Sequence, residues 1–199
     1  MNALGILVIL FGLGGVYASA KIYLVPARPA WNTIRTPLRF FLTGFILGPL
    51  FALVVFSLYT LCQDEGLIHS IKNGPIFSFL AVSALAGFLQ LLVLLSRLFS
   101  LRPRESDELY GSTFLLIHRF KKFFVTRLAL LVLGSFIFPF VIFVLLQTSH
   151  LNNVQFLELS IATFFFSAIG EFLGRYLFFV TVVPKNIPGS FFTQAGKGH

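Results

Sequence analysis

Cysteine and charge are both scarce in this chain. Among 199 residues there is one cysteine, Cys62, so a disulfide within the chain and a zinc or iron–sulfur site built from several thiolates are excluded. Only 11% of the residues are charged and 57% are hydrophobic, whereas about 25% of a soluble domain is charged. Together with a mean hydropathy of +0.91, this composition predicts an integral membrane protein whose surface is largely covered by lipid.

The chain is instead rich in long hydrophobic runs. A membrane span needs about 20 mostly apolar residues, and five runs meet this length, at 2–23, 38–61, 75–99, 124–147 and 154–183. The runs are continuous, whereas the strands of a membrane barrel alternate in polarity and are much shorter. We therefore predict an all-α fold, a single-domain integral membrane helical bundle over residues 1–199 with five transmembrane helices.

The basic residues are unevenly distributed between the loops. Nearly all of them lie in the first loop, the third loop and the tail, while the second and fourth loops contain Lys72 alone. Because lysine and arginine accumulate in cytoplasmic loops, we predict that the N-terminus is outside, the C-terminus inside, and the protein in the cytoplasmic (inner) membrane. The net charge of +8 is thereby explained by orientation, and no nucleic-acid partner is expected.

The positions of the four histidines decide whether a haem is expected. A haem held by two histidines needs imidazoles that project from spans into the bundle. His69, His118, His150 and His199 all fall in loops, at span ends or in the tail. We expect no haem, no metal site and no catalytic residue in this chain.

One charged pair lies inside the last apolar run. In GEFLGRYLFFVTVVPKN, Glu171 and Arg175 are four residues apart and share one helical face, so they can pair. Charges at membrane depth are costly and indicate a functional or partner-facing site. The alternative is a pair at the headgroup level with Arg175 extended toward water, but eight mainly apolar residues follow that arginine.

The ends of the first and fifth spans are expected on the same face. Residues from both ends are therefore candidates for one pocket: Lys21, Tyr23, Arg28, Trp31, Glu171, Arg175 and Tyr176. Cations and phenols donate hydrogen bonds to quinone oxygens, and a carboxylate can transfer the accompanying protons. The alternative is simple anchoring, since aromatic and basic belts occur at most membrane interfaces.

Glycines spaced four apart predict close helix packing. Gly44 and Gly48 lie in the second span and Gly170 and Gly174 in the fifth, and this spacing lets two helix backbones approach closely.

Two stretches resemble a known family. VYASAKIYLVPARPAWNTIRTPLRFFLTGFILGPL, from Val16, and SAIGEFLGRYLFFVTVVPKN are similar to the membrane-anchor subunit of dimethyl-sulfoxide reductase and its relatives, which include anchors of sulfite-oxidising and other molybdopterin complexes. The resemblance implies an anchor that binds quinone or quinol (menaquinone or ubiquinone). It also implies two partners, a four-cluster iron–sulfur subunit and a molybdopterin catalytic subunit, which hold all the metal.

The chain is shorter than the anchors it resembles. Its five spans resemble their C-terminal portion, so N-terminal spans are missing. Three explanations are open: another membrane chain supplies these spans, this chain is an abridged anchor, or the sequence is incomplete. The basic face favours a cytoplasm-facing relative such as a sulfite-oxidising type. Two alternatives stay open at this point, a purely structural anchor without a quinone site and, less favoured for want of inverted repeats, a small transporter subunit.

Overall fold

The computed structural model describes residues 3–62, 75–96, 107–148 and 151–183. Within these ranges the chain forms six helices and no strand: α1 (Ala3–Lys21), α2 (Arg35–Cys62), α3 (Ile76–Ser96), α4 (Asp107–His118), α5 (Lys121–Gln147) and α6 (Asn153–Val180). All but the short α4 are long and apolar enough to cross a membrane. The predicted all-α membrane bundle with five spans is therefore confirmed.

Some predicted features lie outside the described residues. These are the second loop with His69 and Lys72, together with His150 and the tail from Pro184 onward, which includes His199.

The start of α6 is fixed by its sequence. The side chain of Asn152 accepts a hydrogen bond from the backbone N–H of Gln155 at 2.8 Å, and the Gln155 side chain accepts one from the Asn152 N–H at 3.3 Å. This reciprocal capping box satisfies two N–H groups that a helix start leaves without partners. It sets the position of Glu171 along the helix that follows.

Of the five spans, four form the core and one lies beside it. Buried apolar side chains of α2, α3, α5 and α6 form two clusters, with Leu53, Ile142 and Phe156 in one and Ile46 and Leu131 in the other. In the apolar segment of α1 only 6% of the residues are buried, against 28–33% in the other four spans. The bundle is thus α2, α3, α5 and α6, and α1 packs mainly on α2.

Helix α5 widens into a π-helical turn at Leu133–Ile137. Pro139 lies two residues beyond the end of this turn. A proline has no N–H for the carbonyl four residues earlier and clashes with it. That carbonyl belongs to Ser135, inside the turn. The wider turn accommodates the proline without breaking the helix.

The π-helical turn also brings α5 very close to both neighbouring helices. A Cβ on Gly134 would overlap Ser167 of α6, and a Cβ on Gly87 of α3 would overlap Ser135. The contact between α5 and α6 therefore requires glycine at position 134, and the contact between α3 and α5 requires glycine at position 87.

The two glycine pairs differ in what surrounds them. A Cβ on Gly170 would lie 3.1 Å from Leu130, and one on Gly174 would lie 2.5 Å from the Arg127 guanidinium carbon, so this pair faces α5 closely. Nothing lies within 4 Å of a Cβ on Gly44 or Gly48. These two line an open groove against α1 instead, because α1 approaches α2 only loosely.

We predict that Gly174→Ala destabilises the protein while Gly44→Ala does not. The added methyl group at residue 174 overlaps a buried guanidinium, and overpacking of this kind costs about 1–3 kcal/mol. At residue 44 the methyl group meets open space, and alanine is favoured over glycine in a helix by roughly 0.5–1 kcal/mol. Unfolding in detergent, followed by the fluorescence of the single tryptophan Trp31, measures both. Equal stability of the two variants would contradict the packing described.

We predict that Cys62 is accessible from the outer side of the membrane. It is exposed at the end of α2, and the charge distribution predicts that this end is outside. A membrane-impermeant maleimide should label it in intact spheroplasts. In a Cys62→Ser protein carrying Lys21→Cys, labelling should require permeabilisation. The reverse pattern would show the opposite orientation.

Candidate functional site

Four polar side chains lie at one depth in the bundle, each from a different helix. They are Thr43 of α2, Gln90 of α3, Arg127 of α5 and Glu171 of α6. Because successive spans run in opposite directions, the start of α2 and α5 and the end of α3 and α6 share one face. Each residue lies six to nine positions from the end of its helix at that face, which is about 9–14 Å at the rise of an α-helix. The four residues therefore form one layer inside the membrane.

The carboxylate of Glu171 is the centre of this layer. Its side chain is buried, with 5% exposed. The amide of Gln90 donates to both carboxylate oxygens, at 2.8 Å to Oε1 and 2.9 Å to Oε2. Arg127 Nη2 lies 4.0 Å from Oε1. A buried charge is tolerated only when it is paired and hydrogen-bonded, and these two side chains supply both.

The hydroxyl group of Thr43 can serve either protonation state of Glu171. It lies 2.6 Å from Glu171 Oε2 and 2.9 Å from the backbone oxygen of Arg39, and it has one hydrogen to donate. When the carboxyl group is ionised, Thr43 donates to it. When it is protonated, its O–H can donate to Thr43, which then donates to the Arg39 carbonyl. The arrangement is suited to a carboxyl group that gains and loses a proton.

Arg127 is the functional side chain that the sequence analysis missed. The sequence analysis did not single it out, although it lies within the predicted span 124–147; the structure places it in α5 with 3% of its surface exposed. Its guanidinium occupies the space that Gly174 leaves by lacking a Cβ. The apolar context FFVTRLALLV is the signal that could have identified it as a charge at membrane depth.

Arg175 lies one helical turn closer to the face than Glu171. Its guanidinium carbon is 3.5 Å from the centroid of the Phe40 ring, a cation–π contact. The sequence analysis proposed Arg175 as the pairing partner of Glu171. Among the described residues, the guanidinium within 4.0 Å of that carboxylate is that of Arg127, and Arg175 covers the pocket together with Phe40.

The first loop is fastened to the end of α6 by aromatic contacts. The ring of Trp31 stacks on Phe178 with centroids 5.2 Å apart, and its Nε1 donates to the Phe178 carbonyl at 3.0 Å. Tyr23 contacts both of these rings edge-on at 5.5 Å. The guanidinium carbon of Arg28 lies 4.3 Å from the Trp31 ring centroid. Residues of the first loop and α6 thus meet on the face nearest the polar layer.

Two of the proposed pocket residues lie elsewhere. Lys21 is exposed and its Nζ is 5.5 Å from the ring of Tyr17 on α1. Tyr176 lies against Phe123, at 5.6 Å, and Phe120 on the α5 side. Neither contacts Glu171.

A small, partly open cavity lies in the polar layer. Its lining includes the four polar residues together with Arg39, Phe40 and Arg175, and its volume is about 10 Å³. This is room for about one water molecule, whereas a cavity that binds benzene measures about 150 Å³. A quinone ring therefore does not fit beside Glu171 unless Arg175 and Phe40 move.

Five apolar spans with a buried, hydrogen-bonded carboxyl group define a multi-pass integral membrane protein with a polar site near one face. Residues 1–180 match the family model described as the DMSO reductase anchor subunit (DmsC). The chain therefore belongs to this family and is a membrane anchor subunit of a DMSO reductase complex, with catalytic and iron–sulfur subunits as partners. No curated protein and no solved structure matches the chain.

We predict that Arg127→Met destabilises the protein and that adding Glu171→Gln restores part of the loss. Removing Arg127 takes away the guanidinium nearest the buried carboxylate, and breaking a buried pair costs up to about 3 kcal/mol, whereas replacing both charges removes that pair as a whole. The double-mutant cycle is measured by unfolding in detergent. Arg119→Met, which removes an exposed arginine, is the matched control and should change stability by less than about 0.5 kcal/mol. Strict additivity of Arg127→Met and Glu171→Gln would contradict the pairing.

Proposed function

We propose that this anchor passes electrons between the quinone pool and the iron–sulfur subunit, and that Glu171 handles the protons that accompany them. In this proposal the partners are a four-cluster iron–sulfur subunit and a molybdopterin subunit, and the quinone is menaquinone or ubiquinone. The observation that carries it is the placement of Glu171, buried among donors that satisfy it in either protonation state. A quinone, when bound, supplies two-electron chemistry that takes up or releases two protons.

The chemistry of the side chains fits a quinone better than the volume of the pocket does. Arg28 and Arg175 carry guanidinium donors and Tyr23 a hydroxyl group, all on the face that covers the polar layer. The N–H of Trp31 is already donated to a backbone carbonyl, so Trp31 would contribute its ring surface. We therefore assign the head group to this covering face, with Glu171 one layer deeper.

Glu171 is suited to proton exchange for two reasons. Its depth separates it from bulk water, and a carboxyl group that is held by positioned donors keeps one geometry while it changes charge. Arg127 and Arg175 both line the same pocket as Glu171. The surplus of positive charge favours ligand oxygens that carry negative charge.

A structural anchor without a quinone site is the second candidate. The cavity of about 10 Å³ favours it, and so does the use of Trp31 and Arg28 in contacts that hold the first loop to α6. In that case the buried layer would only fix the positions of the four helices.

We predict that Glu171→Gln lowers quinol-linked turnover of the assembled complex by about a hundredfold or more, the usual contribution of a positioned proton donor or acceptor. Glutamine has the shape of glutamate and keeps hydrogen-bonding capacity, but it cannot gain or lose the proton. Turnover supported by a reduced dye that feeds the catalytic subunit directly should stay unchanged, because that route bypasses the anchor.

The matched control is Glu158→Gln, which changes an exposed glutamate on the same helix. It should leave both activities at the wild-type level. If Glu171→Gln supports normal quinol-linked turnover in an assembled complex, the anchor is structural.

A further inference from the structure

We propose that the cavity beside Glu171 binds one water molecule, which accepts a hydrogen bond from Arg127 Nε and donates one to Gln90 Oε1. This inference does not depend on the binding of a quinone, because it rests on two residues that line the cavity and that each carry a buried polar atom without a hydrogen-bond partner among the described residues.

Two buried polar atoms in the polar layer lack a hydrogen-bond partner among the described residues. They are Gln90 Oε1 and Arg127 Nε, on side chains with 1% and 3% of their surface exposed. The orientation of the Gln90 amide follows from its surroundings, since its NH₂ group donates to both carboxylate oxygens of Glu171. A flipped amide would direct Oε1 at a carboxylate. The oxygen therefore points away from Glu171.

The two atoms have opposite requirements, which one water molecule meets. Arg127 Nε carries a hydrogen and needs an acceptor, while Gln90 Oε1 needs a donor. A water oxygen accepts from the first, and one of its hydrogens goes to the second. The other hydrogen remains for the carboxylate of Glu171, which lines the same cavity. Buried waters typically make about three such hydrogen bonds.

The volume agrees with this assignment. The cavity measures about 10 Å³, close to the smallest volume that holds a single water, and a polar lining is the other condition for hydration. Two further hydroxyl groups without partners, those of Ser83 and Ser167, do not line this cavity. Ser167 is pressed against Gly134, so the packed layer there leaves it no comparable space.

A water at this place would give the carboxyl group of Glu171 a further hydrogen-bond partner inside the bundle. A water molecule passes on one of its own protons as it accepts another, so this water would relay a proton to or from Glu171 and would not store one.

The test is X-ray radiolytic footprinting of the full-length chain in lipid nanodiscs. Hydroxyl radicals formed from a bound water oxidise the adjoining side chains, and mass spectrometry reads the added oxygen. Phe178 lines the cavity, whereas Phe156 is fully buried in an apolar cluster. We expect oxidation of Phe178 to be several-fold faster than oxidation of Phe156. Equal rates would show a dry cavity and overturn the proposal.

A pair of variants identifies the source of the oxidation. Gln90→Leu removes the acceptor and should reduce oxidation of Phe178 to the rate of Phe156, while Gln147→Leu, at an exposed glutamine on α5, should leave it unchanged. Fluorescence of Trp31 reports whether each variant is folded. If folded Gln90→Leu protein is still oxidised at the wild-type rate, the radicals come from bulk water and the proposal fails.

If the Gln90→Leu protein does not fold, an experiment on the wild-type protein decides, in which the protein is transferred rapidly into H₂¹⁸O before irradiation. A bound water predicts that ¹⁸O enters Phe178 later than it enters exposed residues. Simultaneous entry overturns the proposal.

Discussion

The burial of one carboxyl group in a membrane is the constraint on which the bundle depends. Lipid tails offer no hydrogen bonds, so the partners of Glu171 must come from inside the bundle. Each of the other three core helices supplies one, Thr43, Gln90 and Arg127. Donors at 2.6–2.9 Å tolerate little rotation or sliding of the helices that carry them. Apolar packing brings the four helices together, and this polar layer selects one register among the many that apolar faces allow.

The packing around the layer is consistent with that role. Gly174 leaves the space for the Arg127 side chain, and the π-helical turn of α5 lets Gly134 and Ser135 contact α6 and α3 at once. Small residues allow such approaches between helices in membranes, where association depends on close contact rather than on the hydrophobic effect. Helix α1 contributes no side chain to the layer, and it is also the helix with the loosest packing.

The sequence was sufficient for the fold because continuous apolar runs of this length have few alternatives. It also indicated that Glu171 lies buried within a span, since a carboxylate in an apolar run is rare. It could not supply Thr43 or Gln90, which are ordinary residues in a span until the rotation of each helix is known. Tyr176 shows the same limit in reverse. Five residues after Glu171, it lies about 140° further around the helix, so it faces α5 while Phe178, at seven residues, returns to the pocket.

Under the proposed function, a quinone-linked anchor would perform two tasks with different needs. A ring needs space and hydrogen-bond donors, whereas a proton site needs fixed donors and little water. Arg28, Tyr23 and Arg175 carry donor groups on the covering face, and the cavity beside Glu171 is small. Arg175, one turn from Glu171, also lines that cavity and so belongs to both places. A change at Arg175 would therefore alter both, while a change at Glu171 leaves the covering face intact. Glu171 is therefore the position at which proton handling can be distinguished from ligand binding.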